Sequence, residues 1–541
     1  MNIKKMVILF IALTLVASFG FSAACKEKAI TFNIGGDPST IDPAKTSTVN
    51  EGAALVQIFD GLVRRNPEGE LTPAIAESWE VSPDGTVYTF KLRDAKFTNG
   101  DTITAEDFVY SWTRVIDPRT GSPYGYLMTY IKGANALNSI DISSADAEAQ
   151  IADAMKNLGV EAIDDKTLKV TLVAPAPYFL GLTAFPTYYP VNKKVVESND
   201  GWADSADTYV SNGPFKLVDW KHGQKLSLVK NDQYWDKENV KLDKIDLLII
   251  EQGSTEVTMF ETGQLDIVWG WDIPITEVQR LKKEGKVGFT NQIQNRYQAL
   301  NSKKPPFDDP RIRKALLISI SREPIATNVM GNSVPLYAYV PKGLVDADPS
   351  KDFRDVGGNL IEENIEEAKR LLAEAGYPNG EGFPGFEILY TTNEKNKAIV
   401  EALAGMWSKN LNINNITLKN VEGRIRSQLR RAGDFQMTSQ GWAGDYLDPL
   451  TFLEIFLSDS GQNDGKWSNA EYDRLIKVAQ TTFDREERYE SMHAAEKILM
   501  DEAGCIPFST EEVPYMQNPK LKGILRNALA QTDLKWAYLE D

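Results

Sequence analysis

Few residues in this chain could run covalent chemistry. It holds two histidines, His222 and His493, and two cysteines, Cys25 and Cys505. His222 stands in Lys221-His222-Gly223-Gln224, which reads as a turn between two strands, and His493 lies beside Met492 in a long helical pattern. No His-Glu-x-x-His, Gly-x-Ser-x-Gly or Walker-type phosphate loop occurs, so the common hydrolase, metalloprotease and nucleotidase signatures are missing. Carboxylates are the remaining option. Asp445 and Asp448, close to Trp442, have the residue types of a glycosidase acid–base pair. In a chain with 76 acidic residues such a pair also arises by chance, and the expectation is a protein that is not an enzyme. Cys505, in Ala503-Gly504-Cys505-Ile506-Pro507, reads as a buried free thiol, which behaves as a small apolar residue.

The chain's beginning sets the compartment. Lys4 and Lys5 precede an apolar run over residues 6–19, and Ser22-Ala23-Ala24 follows, which is the order of a secretory signal over residues 1–24. The run is too short for a membrane-spanning helix, which needs ~20 apolar residues. Cys25 comes next, where a bacterial lipoprotein carries its acylated cysteine, and two acyl chains are enough for stable anchoring. Ser22 occupies the place where that pattern has leucine, so ordinary cleavage stays open beside lipidation. Either way the chain is exported, to the periplasm or the outer face of the cell membrane.

A net charge of −17 and a pI near 4.9 argue against a nucleic-acid partner, whose phosphates would be repelled. The same acidity suits capture of cations such as peptide ammonium groups, and equally a solvated surface. Nothing in the sequence calls for a cofactor or a metal.

The elements that would position any site alternate between strands and helices. Residues 29–34, 87–92 and 168–172 read as strands, and residues 245–250 as a strand apolar enough to be covered on both faces. Thr104 with Asp107 forms a capping box ahead of Phe108, Val109 and Trp112. A helix is predicted over residues 362–375, with Glu366 pairing to Arg370 and Gly376 and Pro378 as stops, and another after Asp484 with Glu487 in capping position. Without repeats or low-complexity linkers, this is an α/β protein of tightly packed domains.

Several stretches, taken in order, carry a resemblance. They include Ile41-Asp42-Pro43, Phe59-Asp60-Gly61-Leu62, Ala76-Glu77-Ser78-Trp79, Phe97-Thr98-Asn99-Gly100-Asp101 and Thr104 through Trp112. Later come Ser211-Asn212-Gly213-Pro214-Phe215, Tyr234-Trp235-Asp236 and Lys304-Pro305-Pro306-Phe307-Asp308-Asp309. Together the chain resembles the oligopeptide-binding proteins of bacterial ABC importers. Most of these residues hold the fold: the glycines and prolines punctuate turns, and Trp79, Trp112 and Trp235 are expected to fill core.

The resemblance implies a periplasmic-binding-protein-like fold of class II (cluster C), a two-lobe Venus flytrap with an additional inserted domain. Residues 25–60, 186–293 and 511–541 would form a discontinuous first lobe, 61–185 the inserted domain and 294–510 the second lobe. It also implies a monomer that captures short peptides and delivers them to an ABC permease. Related binders of dipeptides, metal chelates or sugars, and a chaperone or adhesin role for the cleft, stay open. Such a protein would read the peptide backbone by strand-like pairing, here through Thr46-Ser47-Thr48-Val49 and Gly441-Trp442-Ala443. The ammonium would meet Asp445, in Trp442-Ala443-Gly444-Asp445-Tyr446, with Tyr124 lining the cleft. Arg430 would lie near the guest's far end, with Arg431 next to it. Ser439-Gln440 stands where some relatives carry arginine, and Asn396 where some carry a histidine that holds the peptide carboxylate, so the carboxyl end would be read weakly or by other groups.

Overall fold

The computed structural model describes residues 27–540 apart from Pro177 and Asn332. The expected signal segment and Cys25 lie outside the described residues. The alternation in residues 87–92 and 168–172 is realised in a four-stranded antiparallel sheet. Its order is Ala76–Val81, Val87–Leu92, Thr167–Thr171, Val160–Asp164. Tyr88, Phe90, Leu168 and Val170 turn inward, and the helix Ala105–Ile116 buries Phe108 and Trp112 in the same core. That helix starts where expected, because the Thr104 N–H donates to Asp107 at 2.8 Å.

Among the described residues the molecule is organised by a twelve-stranded mixed sheet. Its main path is Ile416–Val421, Phe386–Thr391, Met437–Ala443, Gln294–Leu300, Cys505–Gln517, Ile267–Trp269, Ala29–Asn33, Lys244–Leu248, Lys225–Lys230, Phe215–Lys221. One strand joins its two halves. Cys505–Gln517 pairs Cys505 to Ser509 with Gln294–Leu300, then pairs Glu512 to Tyr515 with Gly288–Asn291 and Tyr515 to Gln517 with Ile267–Trp269. The chain therefore crosses between the halves here and again where Gly288–Asn291 runs into Gln294–Leu300, and these crossings are the hinge of a two-lobe fold.

The apolar residues divide accordingly. One cluster gathers Ile30, Phe32, Phe215, Leu228, Ile245 and Leu247 in the first lobe. A larger one is continuous through the additional domain and the second lobe, running from Trp112 and Tyr130 to Tyr446, Phe452 and Leu499. Trp112 is fully buried and donates its indole N–H to the Tyr188 carbonyl at 2.9 Å, while Trp79 and Trp235 pack partly buried against the cores, as expected of fold-holding residues.

Some expectations need correction. Residues 245–250 are not covered on both faces: the strand is Lys244–Leu248, and only Ile245 and Leu247 are buried, because Asp246 faces Lys225, Ser227 and Lys244 on the other side. The helix predicted from residue 362 is Ile365–Glu374, capped by the Asn364 side chain. Glu366 pairs with Lys369, while Arg370 takes Glu367 and Glu374, so the expected Glu366–Arg370 pair is not formed. The last long helix, Arg485–Asp501, is capped by Asp484 as read. Cys505 is a buried free thiol, and His493 stacks on Phe353 at 4.0 Å with its Nε2 2.8 Å from the Asp346 carboxylate.

Candidate functional site

Between the lobes lies a cavity of about 330 Å³. All eleven ligand-site residues named from the sequence line it: Thr46, Ser47, Thr48 and Val49, then Tyr124, Asn396, Arg430, Gly441, Trp442, Ala443 and Asp445. They arrive from elements far apart in sequence, and the sheet explains how.

Met437–Ala443 pairs along its whole length with Gln294–Leu300. On its other side Phe386–Thr391 reaches only Met437 and Thr438 and the Arg426 guanidinium donates to the Ser439 carbonyl at 2.5 Å, so the edge is open to the cavity from Gln440 onward. The Gly444 N–H donates to Ile293 at 2.8 Å. Strand alternation then turns the polar backbone groups of Gly441 and Ala443 to the open edge, where an extended guest can add as a strand. Glycine is required at 441, since a Cβ there would stand 2.9 Å from the Asn295 carbonyl oxygen.

The strand ends in a turn that delivers Asp445. Its N–H donates to the Thr451 hydroxyl at 2.9 Å, and its Oδ1 accepts the Tyr124 hydroxyl at 3.3 Å. Oδ2 is buried and has no hydrogen-bond partner. Burial first, and then the nearby Glu454, push the Asp445 pKa well above the usual carboxylate range, while the Tyr124 hydrogen bond pulls the other way. A carboxyl in that position lacks one thing, a cation. Tyr124 is fixed by edge-on packing against Phe185, with ring centroids 5.1 Å apart, and sits 6.2 Å from Trp442. Behind them Glu454 is fully buried, accepting the hydroxyls of Tyr446 at 2.5 Å and Tyr130 at 2.8 Å and the Gln480 amide at 3.3 Å; burial raises it to about 8.

The opposite wall is formed by Thr46 to Val49. Residues 46–49 are not a strand: Thr46 and Ser47 are loop, and Thr48 caps the helix Val49–Ile58. Glu51 holds the loop, accepting the N–H groups of Ser47 at 2.7 Å and Thr48 at 3.0 Å and the Ser39 hydroxyl at 2.5 Å. Its spacing from Thr48 is that of a capping box, a signal that was readable in the sequence and went unused.

Arg430 is not an exposed arginine. It is 6% exposed and ion-paired to Asp464, which also accepts the Gln440 amide at 2.8 Å. Arg430 reaches Ser47 across the cleft at 3.3 Å, and Arg431 reaches the same hydroxyl at 2.7 Å. Asn396 sits in the first turn of the helix Glu394–Leu411, its N–H capped by Asn393. Asp448 does not join Asp445: both its oxygens are taken by Arg488 at 2.9 Å and it does not line the cavity, so the glycosidase-like pair is not assembled. Gln440, where some relatives carry arginine, also lines the cavity, as do Glu51, Glu256, Arg426 and Asp464, which were missed; apart from the capping-box spacing of Glu51, nothing in their local sequence separates them from other surface-type residues.

The lobes are shut. Gln252 donates to the Thr392 carbonyl at 3.0 Å, Ser254 to Glu394 at 2.5 Å, Asn393 to Asp272 at 3.0 Å and the Gly423 N–H to Glu251 at 2.8 Å. Two lobes on crossing strands, drawn together over a cavity with an open strand edge and an uncompensated carboxyl, define a binding protein that takes its guest between them.

Comparison with known proteins makes this specific. The chain matches bacterial extracellular solute-binding proteins, family 5 Middle, over residues 70–464, and it belongs to that family. It is similar to the dipeptide-binding protein DppE of Bacillus subtilis, 37% identical with 94% of this chain and 92% of that protein covered. It superposes on the crystal structure of Haemophilus influenzae OppA in complex with RPPGFSPFR with a TM-score of 0.85 at 34% identity, covering 95% and 99% of the two chains. Against the Escherichia coli murein tripeptide binding protein MppA the TM-score is 0.85 at 32% identity, covering 95% and 99%. Against the unliganded open form of MppA it falls to 0.58 at 31% identity, covering 95% and 98%. The drop agrees with the hydrogen bonds that lock the lobes: this chain has the closed arrangement.

Proposed function

We propose that this protein captures short peptides in extended form outside the cytoplasm and hands them to an ABC permease. The observation that carries the reading is the Asp445 carboxyl, buried in the closed cavity with one oxygen unpartnered beside an open strand edge. The guest's α-ammonium would complete Asp445 while Gly441 and Ala443 pair with its backbone, so all peptides would be recognised through what they share. The names of the similar proteins support a peptide guest. The three-segment first lobe, the inserted domain at 61–185 and the second lobe at 294–510 remain part of the proposal, as does a lipid anchor on Cys25.

The test is titration of tri- and tetrapeptides by calorimetry, free and with the amine acetylated. Acetylation should weaken binding by about a hundredfold, because an unpaired buried charge costs ~3 kcal/mol or more. Equal binding of the two forms would remove Asp445 from its role. Radiolabelled palmitate should appear on the wild-type chain and not on Cys25→Ala.

A further inference from the structure

The cavity holds a second carboxyl that backbone recognition leaves idle. Glu256 sits in the helix Gly253–Glu261, is 2% exposed, and lines the cavity. Its Oε1 is sealed from solvent with no hydrogen-bond partner. Burial pushes its pKa well up; the Asn33 amide and the Trp269 backbone oppose that shift, and Asp272 adds to it. A core glutamate with an orphan oxygen costs stability and contributes nothing to packing that an apolar residue would not.

Its surroundings fit a positively charged guest group. The helix starts directly against Asp272, since a Cβ on Gly253 would stand 2.1 Å from the Asp272 carbonyl oxygen. Glu251, just ahead of the helix, and Asp37 also line the cavity, Glu251 accepting the Gly423 N–H and Asp37 held by Trp220, His222 and Arg424. Trp269 and Trp271 also line it, their rings near-parallel at 5.9 Å, and offer apolar surface to the stem of a long side chain. These carboxylates and rings belong to the first lobe, whereas Asp445 projects from the end of the second-lobe strand Met437–Ala443, so the two carboxyls address different parts of one guest.

We propose that Glu256 forms a subsite for a cationic side chain, lysine or arginine, carried by the guest peptide beyond its amino-terminal residue. This deepens the peptide-capture reading and rests on it. The protein would then favour basic peptides over neutral ones, with the ammonium on Asp445 and the side chain on Glu256.

The experiment uses the mature chain, unfolded and refolded to remove carried-over guests. Its probes are alanine tri- and tetrapeptides in which lysine, or norleucine as its neutral counterpart, moves through each position. At one position past the first, lysine should bind about tenfold or more tighter than norleucine, as a desolvated charge pair of ~1.5 kcal/mol or more gives. In Glu256→Gln that ratio should fall to about one. No lysine preference at any position in the wild type overturns the subsite, and that result needs no variant to fold. A preference that survives in folded Glu256→Gln also overturns it. Both results leave peptide capture standing, whereas failure of every peptide to bind removes the parent reading as well.

Discussion

At the scale of single residues, the site is held in a state that the empty protein does not favour. Asp445 is desolvated, lies near the buried Glu454 carboxyl and keeps one oxygen unpartnered. Asp445→Asn should therefore have effects of opposite sign: affinity for free-amine peptides falls about a hundredfold, while the ligand-free melting temperature rises by ~1–2 °C. Calorimetric titration and scanning calorimetry check the two halves separately. Glu454 adds a pH dependence. Its carboxyl is raised from 4.5 to about 8 by burial, among Tyr130, Tyr446, Gln480 and the Arg488-bound Asp448. A carboxyl whose pKa rises on folding makes the native state hold a proton that the unfolded chain releases. Its contribution is whole below 4.5 and is lost as pH climbs toward about 8. Glu454→Gln, which stays neutral, should flatten the decline in stability between about pH 5 and 8, by an amount on the order of a few kcal/mol at the upper end. Parallel wild-type and variant curves would mean that Glu454 is already ionised at acidic pH.

At the scale of elements, the binding edge depends on where one strand loses its neighbour. Phe386–Thr391 stops pairing after Thr438, Arg426 covers the Ser439 carbonyl, and residues 440–443 face the cavity. Ala443→Pro should leave the fold intact, because edge positions tolerate proline and the N–H it removes points away from Gln294–Leu300. Peptide affinity should fall at least about tenfold with the loss of a backbone donor, ~1.5 kcal/mol; unchanged affinity would show that the guest does not pair there. How much of this could be read in the sequence differs by element. Alternating strands at 87–92 and 168–172 and the caps at Thr104 and Asp484 were legible because their signals are local. Asp445, Tyr124 and Arg430 were legible only through resemblance, since their meeting depends on pairings hundreds of residues apart. The segment 46–49 was placed by the same resemblance, and its local form was not legible: a loop pinned by Glu51, and no strand, presents Thr46 and Ser47 to the cavity. Glu256 was invisible, being a glutamate in an ordinary helical stretch whose burial is decided entirely by what folds over it.

At the scale of the whole molecule, affinity and closure are linked: every hydrogen bond across the cleft favours the shut form and hence the guest. Ser254 and Glu394 meet at the rim, away from the ligand groups. Replacing both by alanine should weaken every peptide alike by about fivefold, the worth of ~1 kcal/mol for a rim contact. It should also enlarge the ligand-free radius of gyration in small-angle scattering without lowering the unfolding temperature. The strand Cys505–Gln517 carries this linkage furthest. Its first residues complete the sheet of one half and its last residues complete the other, so no stop codon placed before its end leaves either half whole. A gene fragment meant to supply one half alone would lack that rib unless the strand were grafted back, and a translating ribosome must emit nearly the entire chain before either half can finish folding.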